Sequence, residues 1–176
     1  LEGLNSVTHV GEDVVIGPNA SLTNLAGLNN LTTVAGYVNI EFNASLTSLD
    51  GIGGITEIRG SLLIRGNDAL RNLRGLENIT SVGDELHITH NDTLESLVGL
   101  SGLTMVGGHL AISGNHSLNS LDGLENLVTL GGDLNVSYNS ALLHCEAVDM
   151  ERRLRARGWM GSATDPERAL HPECPR

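Results

Sequence analysis

With 176 residues, a formal net charge of −11 and only one Phe, one Trp and two Tyr, the chain must fill any core with aliphatic side chains. Of its 21 acidic residues, 15 precede His144 against four Arg, a balance of −11 that repels phosphate backbones and argues against a nucleic-acid partner. No run of 18 apolar residues occurs and the chain opens on neither a charged n-region nor an apolar h-region, so the sequence reads without a membrane span or signal peptide.

From Leu1 a motif recurs every 24 residues without insertion, with copies opening at Leu1, Leu25, Leu49, Leu73, Leu97 and Leu121. Each follows L-x-G-L-x-x-L-x-x-V-x-x-x-L-x-I-x-x-N-x-x-L-x-x. Self-similarity at one period predicts a solenoid, in which stacked turns place equivalent residues above one another. The predicted organisation is an all-β solenoid of six turns over residues 1–144, followed by a helical cap and a disulfide-closed tail over 145–176. Leu1 falls on the first column of a turn, so the chain reads as processed or cut from something longer. The uncapped first turn is expected to offer end-to-end contact.

Within a turn, apolar residues first recur at every third position, as in Leu22, Leu25, Leu28, Leu31 and Val34, a spacing that suits 3₁₀-like corners. Gly3, Gly27, Gly51, Gly75, Gly99 and Gly123 form a column that predicts positive φ or close approach between turns. A Thr column follows (Thr8, Thr32, Thr56, Thr80, Thr104), broken by Val128. An ice-binding face needs regular hydroxyl rows; this column is single and its neighbours (His9, Thr33, Glu57, Ser81, Met105, Thr129) are irregular, so it reads as a solvent-facing β-favouring row.

The strand comes next. Val14/Ile16, Val38/Ile40, Leu62/Ile64, Leu86/Ile88, Leu110/Ile112 and Leu134/Val136 alternate with variable residues, which predicts one stacked parallel sheet with one buried face. A ligand would be read on the outward positions, represented by Tyr37, Glu41, Arg65, Glu85, His87, His109 and Asn135. One position further on, the column reads Pro18, Phe42, Gly66, His90, Gly114 and Tyr138, a ring in every second turn with glycine in turns three and five, so each ring can lie across its neighbour's glycine or serve as a sugar-stacking platform. Glu85, His87, His90 and His109 have metal-ligand chemistry at permissive spacing but no nameable second partner, so no metal or other cofactor is assigned.

Asn19, Asn43, Asn67, Asn91, Asn115 and Asn139 close each turn at one offset, and stacked amides can bond one another and the backbone. Their expected role is a buried structural ladder. Seven Asn-x-Ser/Thr sequons occur, but Asn19, Asn43, Asn91 and Asn115 belong to the ladder, leaving Asn30, Asn78 and Asn135 as acceptors. After His144 the period stops. Cys145 to Arg157 reads as an amphipathic helix with Ala147, Val148, Met150 and Leu154 on its apolar face and Gly158 as its stop, and this helix with Trp159 and Met160 is expected to cover the last turn and its strand edge. Cys145 and Cys174, the only cysteines, read as a disulfide pinning the Pro166/Pro172 tail, which implies an oxidising compartment.

The run L-x-G-L-x-x-L-x-x-V-G-G-x-L-x-I-x-x-N from Leu97 to Asn115 resembles the receptor L domain. The regular turns are similar to repeats in fungal cell-wall proteins and myxobacterial surface proteins. That resemblance implies a right-handed, leucine-rich-repeat-like parallel β-helix serving as an extracellular or envelope-attached recognition or scaffold module for a protein or glycan. The turns here are equal in length and lack a neighbouring cysteine-rich region, so no ligand-contacting residue is carried over. Parallel β-helices also host polysaccharide lyases and hydrolases, but equal turns offer no long loops for a cleft and no catalytic constellation stands out; the chain is read as no enzyme.

Overall fold

The computed structural model describes residue 1, residues 3–165 and residue 174. Apolar residues three apart are brought to one side by successive tight turns: Leu28 N–H bonds Leu25 O, Leu31 bonds Leu28, Ile52 bonds Leu49 and Ile55 bonds Ile52. One of these turns, Ala26–Leu28, is a 3₁₀ helix. Each copy of the motif then contributes two short strands: β1 (His9–Val10) and β2 (Val14–Ile16), β3 (Thr33–Val34) and β4 (Val38–Glu41), β5 (Glu57–Ile58) and β6 (Leu62–Arg65). They are followed by β7 (Ser81–Val82) and β8 (Leu86–Thr89), β9 (Met105–Val106) and β10 (Leu110–Ser113), and β11 (Thr129–Leu130) and β12 (Leu134–Ser137). Helix α1 (His144–Ala156) and strand β13 (Ala163–Thr164) complete the order.

The strands make a β-solenoid with two parallel sheets where the sequence predicts one. The odd strands β1 to β11 stack into a six-stranded sheet, and the even strands, with β13 beyond β12, into a seven-stranded one. Register is kept at 24 residues from turn to turn, as in the row Leu62, Leu86, Leu110 and Leu134. The narrow sheet escapes a period-two search because two residues cannot display an alternation. Its outward positions are the irregular column from His9 to Thr129, and beside them the hydroxyls of Thr32, Thr80 and Thr104 donate to the Thr carbonyl one turn earlier. Those hydroxyls are therefore committed to the backbone.

Every apolar column residue of turns two to six is buried, giving one continuous Leu/Ile/Val interior. In turn one only Ile16 is buried, Leu1 and Leu4 are each 39% exposed, and a cavity of about 360 Å³ opens among Leu1, Leu4, Val7, Val10, Leu28 and Leu31. Gly51, Gly75, Gly99 and Gly123 combine both expected reasons, whereas Gly3 has only the positive φ and Gly27 only the close approach. At Gly99, φ is +118° and an added Cβ would lie 2.0 Å from Leu73 O, so a side chain there collides with the turn before.

The Asn column forms the expected ladder in turns two to six. Asn91 Oδ1 accepts from Asn67 N–H at 3.0 Å and from Asn67 Nδ2 at 3.3 Å. Asn91 Nδ2 donates to Ile64 O at 3.0 Å, Thr89 O at 3.2 Å and Asn115 Oδ1 at 3.2 Å. Asn43, Asn67 and Asn115 are buried with the same partners at equivalent positions, and Asn139, in the last turn, is buried with its Nδ2 donating to Ile112 O. Asn19 departs from expectation: its N–H donates to Asn43 Oδ1, but its side chain is exposed, since no described turn precedes it.

α1 lies across the open end of turn six. Ala147, Val148, Met150 and Leu154 are buried, as their spacing predicts, and so is Trp159, whose Nε1–H donates to Gly132 O at 2.8 Å. The helix ends in a Schellman arrangement: Gly158 (φ +95°) donates to Arg155 O and Trp159 to Leu154 O. Two details differ from expectation. Met160 is 89% exposed and covers nothing, and the edge of β12 is covered by β13, with Leu134 beside Ala163 and Asn135 beside Thr164, while α1 covers the apolar interior. A helix has no free backbone groups with which to continue a sheet, so the edge needs an extended segment.

Cys145 and Cys174 are disulfide-bonded, with Cα atoms 5.3 Å apart. Pro166 and Pro172 lie outside the described residues. Closing this loop contributes about 3 kcal/mol in the chain-entropy account. Thiol titration of denatured, unreduced protein is expected to find no free thiol; two reacting thiols would refute the bridge and the oxidising compartment inferred from it.

Candidate ligand-binding face

The outer face of the seven-stranded sheet carries the variable residues, because successive strand side chains point to opposite sides and the inward ones are taken by the core. Tyr37, just before β4, is 37% exposed. On β4 and β6, Glu41 and Arg65 are register neighbours, and the Arg65 guanidinium lies over the Phe42 ring, 5.3 Å from its centroid. His87 on β8 sits beside Leu63 and Ala111 and pairs with Glu85, Nε2 to Oε2 at 3.3 Å. These five residues, with Val15 and Leu63 of the same face, form one open surface over the first four turns.

The other two predicted residues have structural partners. His109 Nδ1 accepts the Asp133 N–H at 2.8 Å, which places the ring proton on Nε2 when the imidazole is neutral. Asn135 is half-buried beside Thr164 of β13, and its Oδ1 is enclosed without a hydrogen-bond partner among the described residues. His109 belongs to a column in which chemically different side chains do one job. Asp13 Oδ1 accepts from Tyr37 N–H, Ser61 Oγ from Glu85 N–H and Asp133 Oδ1 from Ser162 N–H. The metal-type residues stay apart: His87 is held by Glu85 and His109 by the Asp133 amide, and no group of three or more ligands meets among the described residues.

Where the strands end, the chain turns a corner through left-handed backbone. Phe42, His90 and Tyr138 have φ of 54°, 55° and 56°, and Gly66 and Gly114 have 63° and 69° at the equivalent positions. Glycine takes this conformation freely, whereas a bulky L-residue is strained by about 1–2 kcal/mol. The rings lie over the glycines as predicted: a Cβ at Gly66 would come within 2.7 Å of the Phe42 ring, and one at Gly114 within 3.2 Å of the His90 ring. Gly66 and Gly114 in that column are the sequence signal from which a positive φ could have been read, and the packing reading of the rings passed over it. Of the sequon asparagines, Asn30 and Asn78 are exposed, with Nδ2 donating to Asn5 O and Gly53 O.

No family model matches the chain, and neither a curated protein nor a solved structure does so. Among the described residues, no helix is long and apolar enough to cross a membrane.

Proposed function

We propose that the chain is a non-enzymatic recognition or scaffold module of the extracellular space or cell envelope, binding a protein or glycan across the outer face of its seven-stranded sheet. The observation that carries this reading is the contrast between columns. Core, glycine and asparagine columns are committed to packing or to hydrogen bonds between turns, while Tyr37, Glu41, Arg65, Glu85 and His87 vary in charge and size on a rigid frame. The disulfide suits an oxidising compartment, and the acidic turns favour a neutral or basic partner. The Leu97–Asn115 motif adds the resemblance to the receptor L domain, whose members recognise ligands outside the cell.

The test is a glycan array and a secreted-protein array probed with the wild type and with an Arg65→Ala, His87→Ala double variant. Specific partners are expected to bind the variant about tenfold more weakly, with the thermal midpoint nearly unchanged, because Arg65 is exposed and His87 is only half-buried. Undiminished binding, with loss instead on changing Thr56 and Thr80, would move the surface to the narrow sheet. A turnover assay on the same polysaccharides is expected to show no cleavage; released product would replace this reading with the enzyme one.

A further inference from the structure

Phe42, His90 and Tyr138 stand at one corner of turns two, four and six, all exposed and all in left-handed backbone. Packing accounts for part of this pattern. Gly66 and Gly114 give the Phe42 and His90 rings a bed on which to lie across the next turn. Packing alone does not account for the exposed rings, since glycine fits the same corner in turns three and five without strain. Tyr138 makes the point most sharply: it is 67% exposed, and the described pairing of β12 with β13 stops at Asn135. Strained, exposed residues that a freer one could replace concentrate at ligand sites.

The spacing specifies the ligand. At roughly 4.8 Å per turn, rings on alternate turns stand about 9.6 Å apart along the solenoid axis. That interval is close to the disaccharide repeat of an extended β-1,4-linked glycan, in which every second sugar presents the same apolar C–H face. We propose that Phe42, His90 and Tyr138 form a stacking track for a neutral, extended β-1,4-linked glycan, with the rings meeting the first, third and fifth sugars. The Arg65 guanidinium over Phe42 supplies donors for sugar hydroxyls beside the first ring. The net charge of −11 disfavours acidic polysaccharides. The inference rests on the strand-face reading and gives it a ligand class.

Isothermal titration calorimetry with cellohexaose, chitohexaose and maltohexaose tests it, with cellobiose and chitobiose as short controls. At least one β-1,4 hexaose is expected to bind about tenfold or more tightly than its disaccharide, which reaches one ring, and the two arms separate glucan from chitin-type ligands. Maltohexaose, whose α-linkages curl the chain, is expected not to bind. Tyr138→Gly and Phe42→Gly are each expected to weaken binding about tenfold; Tyr138→Gly, freed of backbone strain, should keep or raise the thermal midpoint. Tyr138→Leu, which keeps bulk but lacks a ring face, should bind as weakly as the glycine variant. The track is refuted if neither β-1,4 hexaose binds, if maltohexaose binds equally, or if Tyr138→Gly binds like the wild type. Array partners that depend on Arg65 and His87 but tolerate all three ring changes would refute the track and leave the strand-face reading standing.

Discussion

Gly99→Ala is expected to destabilise the solenoid by about 4 kcal/mol, near the upper limit for a single added methyl group. Two costs combine. The backbone at φ +118° lies where L-residues are strained, and the new Cβ would sit 2.0 Å from Leu73 O and 2.3 Å from Leu73 C, backbone atoms that cannot rotate away. Relief requires turns four and five to separate, which opens the buried contacts among Leu73, Leu76, Leu97 and Leu100. Gly158→Ala is the control, because φ is +95° there but nothing lies within 4 Å of the added carbon. It should cost about 1–2 kcal/mol, from strain alone. Denaturant titration of both variants measures the difference; equal losses would show that the turns do not pack through the glycine column.

Asn91→Ala is expected to cost about 3 kcal/mol, against less than about 1 kcal/mol for Asn78→Ala. Asn91 lies mid-ladder at 0% exposure, and its removal orphans the Asn67 N–H while stripping a donor from Ile64 O, both inside the stack. Water cannot replace the lost amide without a cavity to hold it. Asn78 gives up one bond, to Gly53 O at 2.7 Å, on an exposed residue whose former partner water can satisfy. Asn91→Asp offers a second measurement, since it keeps the acceptor toward Asn67 but loses the donors toward Ile64 and Asn115 and buries a charge. Equal destabilisation by Asn91→Ala and Asn78→Ala would mean that the column is not a buried network.

The ring alternation at Phe42, Gly66, His90, Gly114 and Tyr138 was plain in the sequence, and so was the direction in which the rings lie. The left-handed backbone beneath them was not, because aromatic residues seldom adopt it and residue type therefore points elsewhere. Asn135 was legible as an outward strand residue, but its cover, β13, is a two-residue strand after a helix, too short to leave a pattern. Likewise the edge of β12 and the apolar end of turn six needed two different covers, and only the packed structure separates them.

By itself the sequence determined what recurs as one residue type from turn to turn: the 24-residue pitch, the Leu/Ile/Val interior, the amide ladder and the glycine corners. In a solenoid each such position meets its own kind one turn away, so one physical requirement is written as one residue type and becomes visible by repetition. The tertiary structure decided what depends on role without fixed chemistry. Asp13, Ser61, His109 and Asp133 look like free variation, yet each accepts the backbone N–H of the residue that leads into the neighbouring strand of the sheet. A carboxylate, a hydroxyl and an imidazole nitrogen all accept hydrogen bonds, so a constant task leaves no constant letter, and only coordinates distinguish a residue holding the frame from one free to meet a ligand.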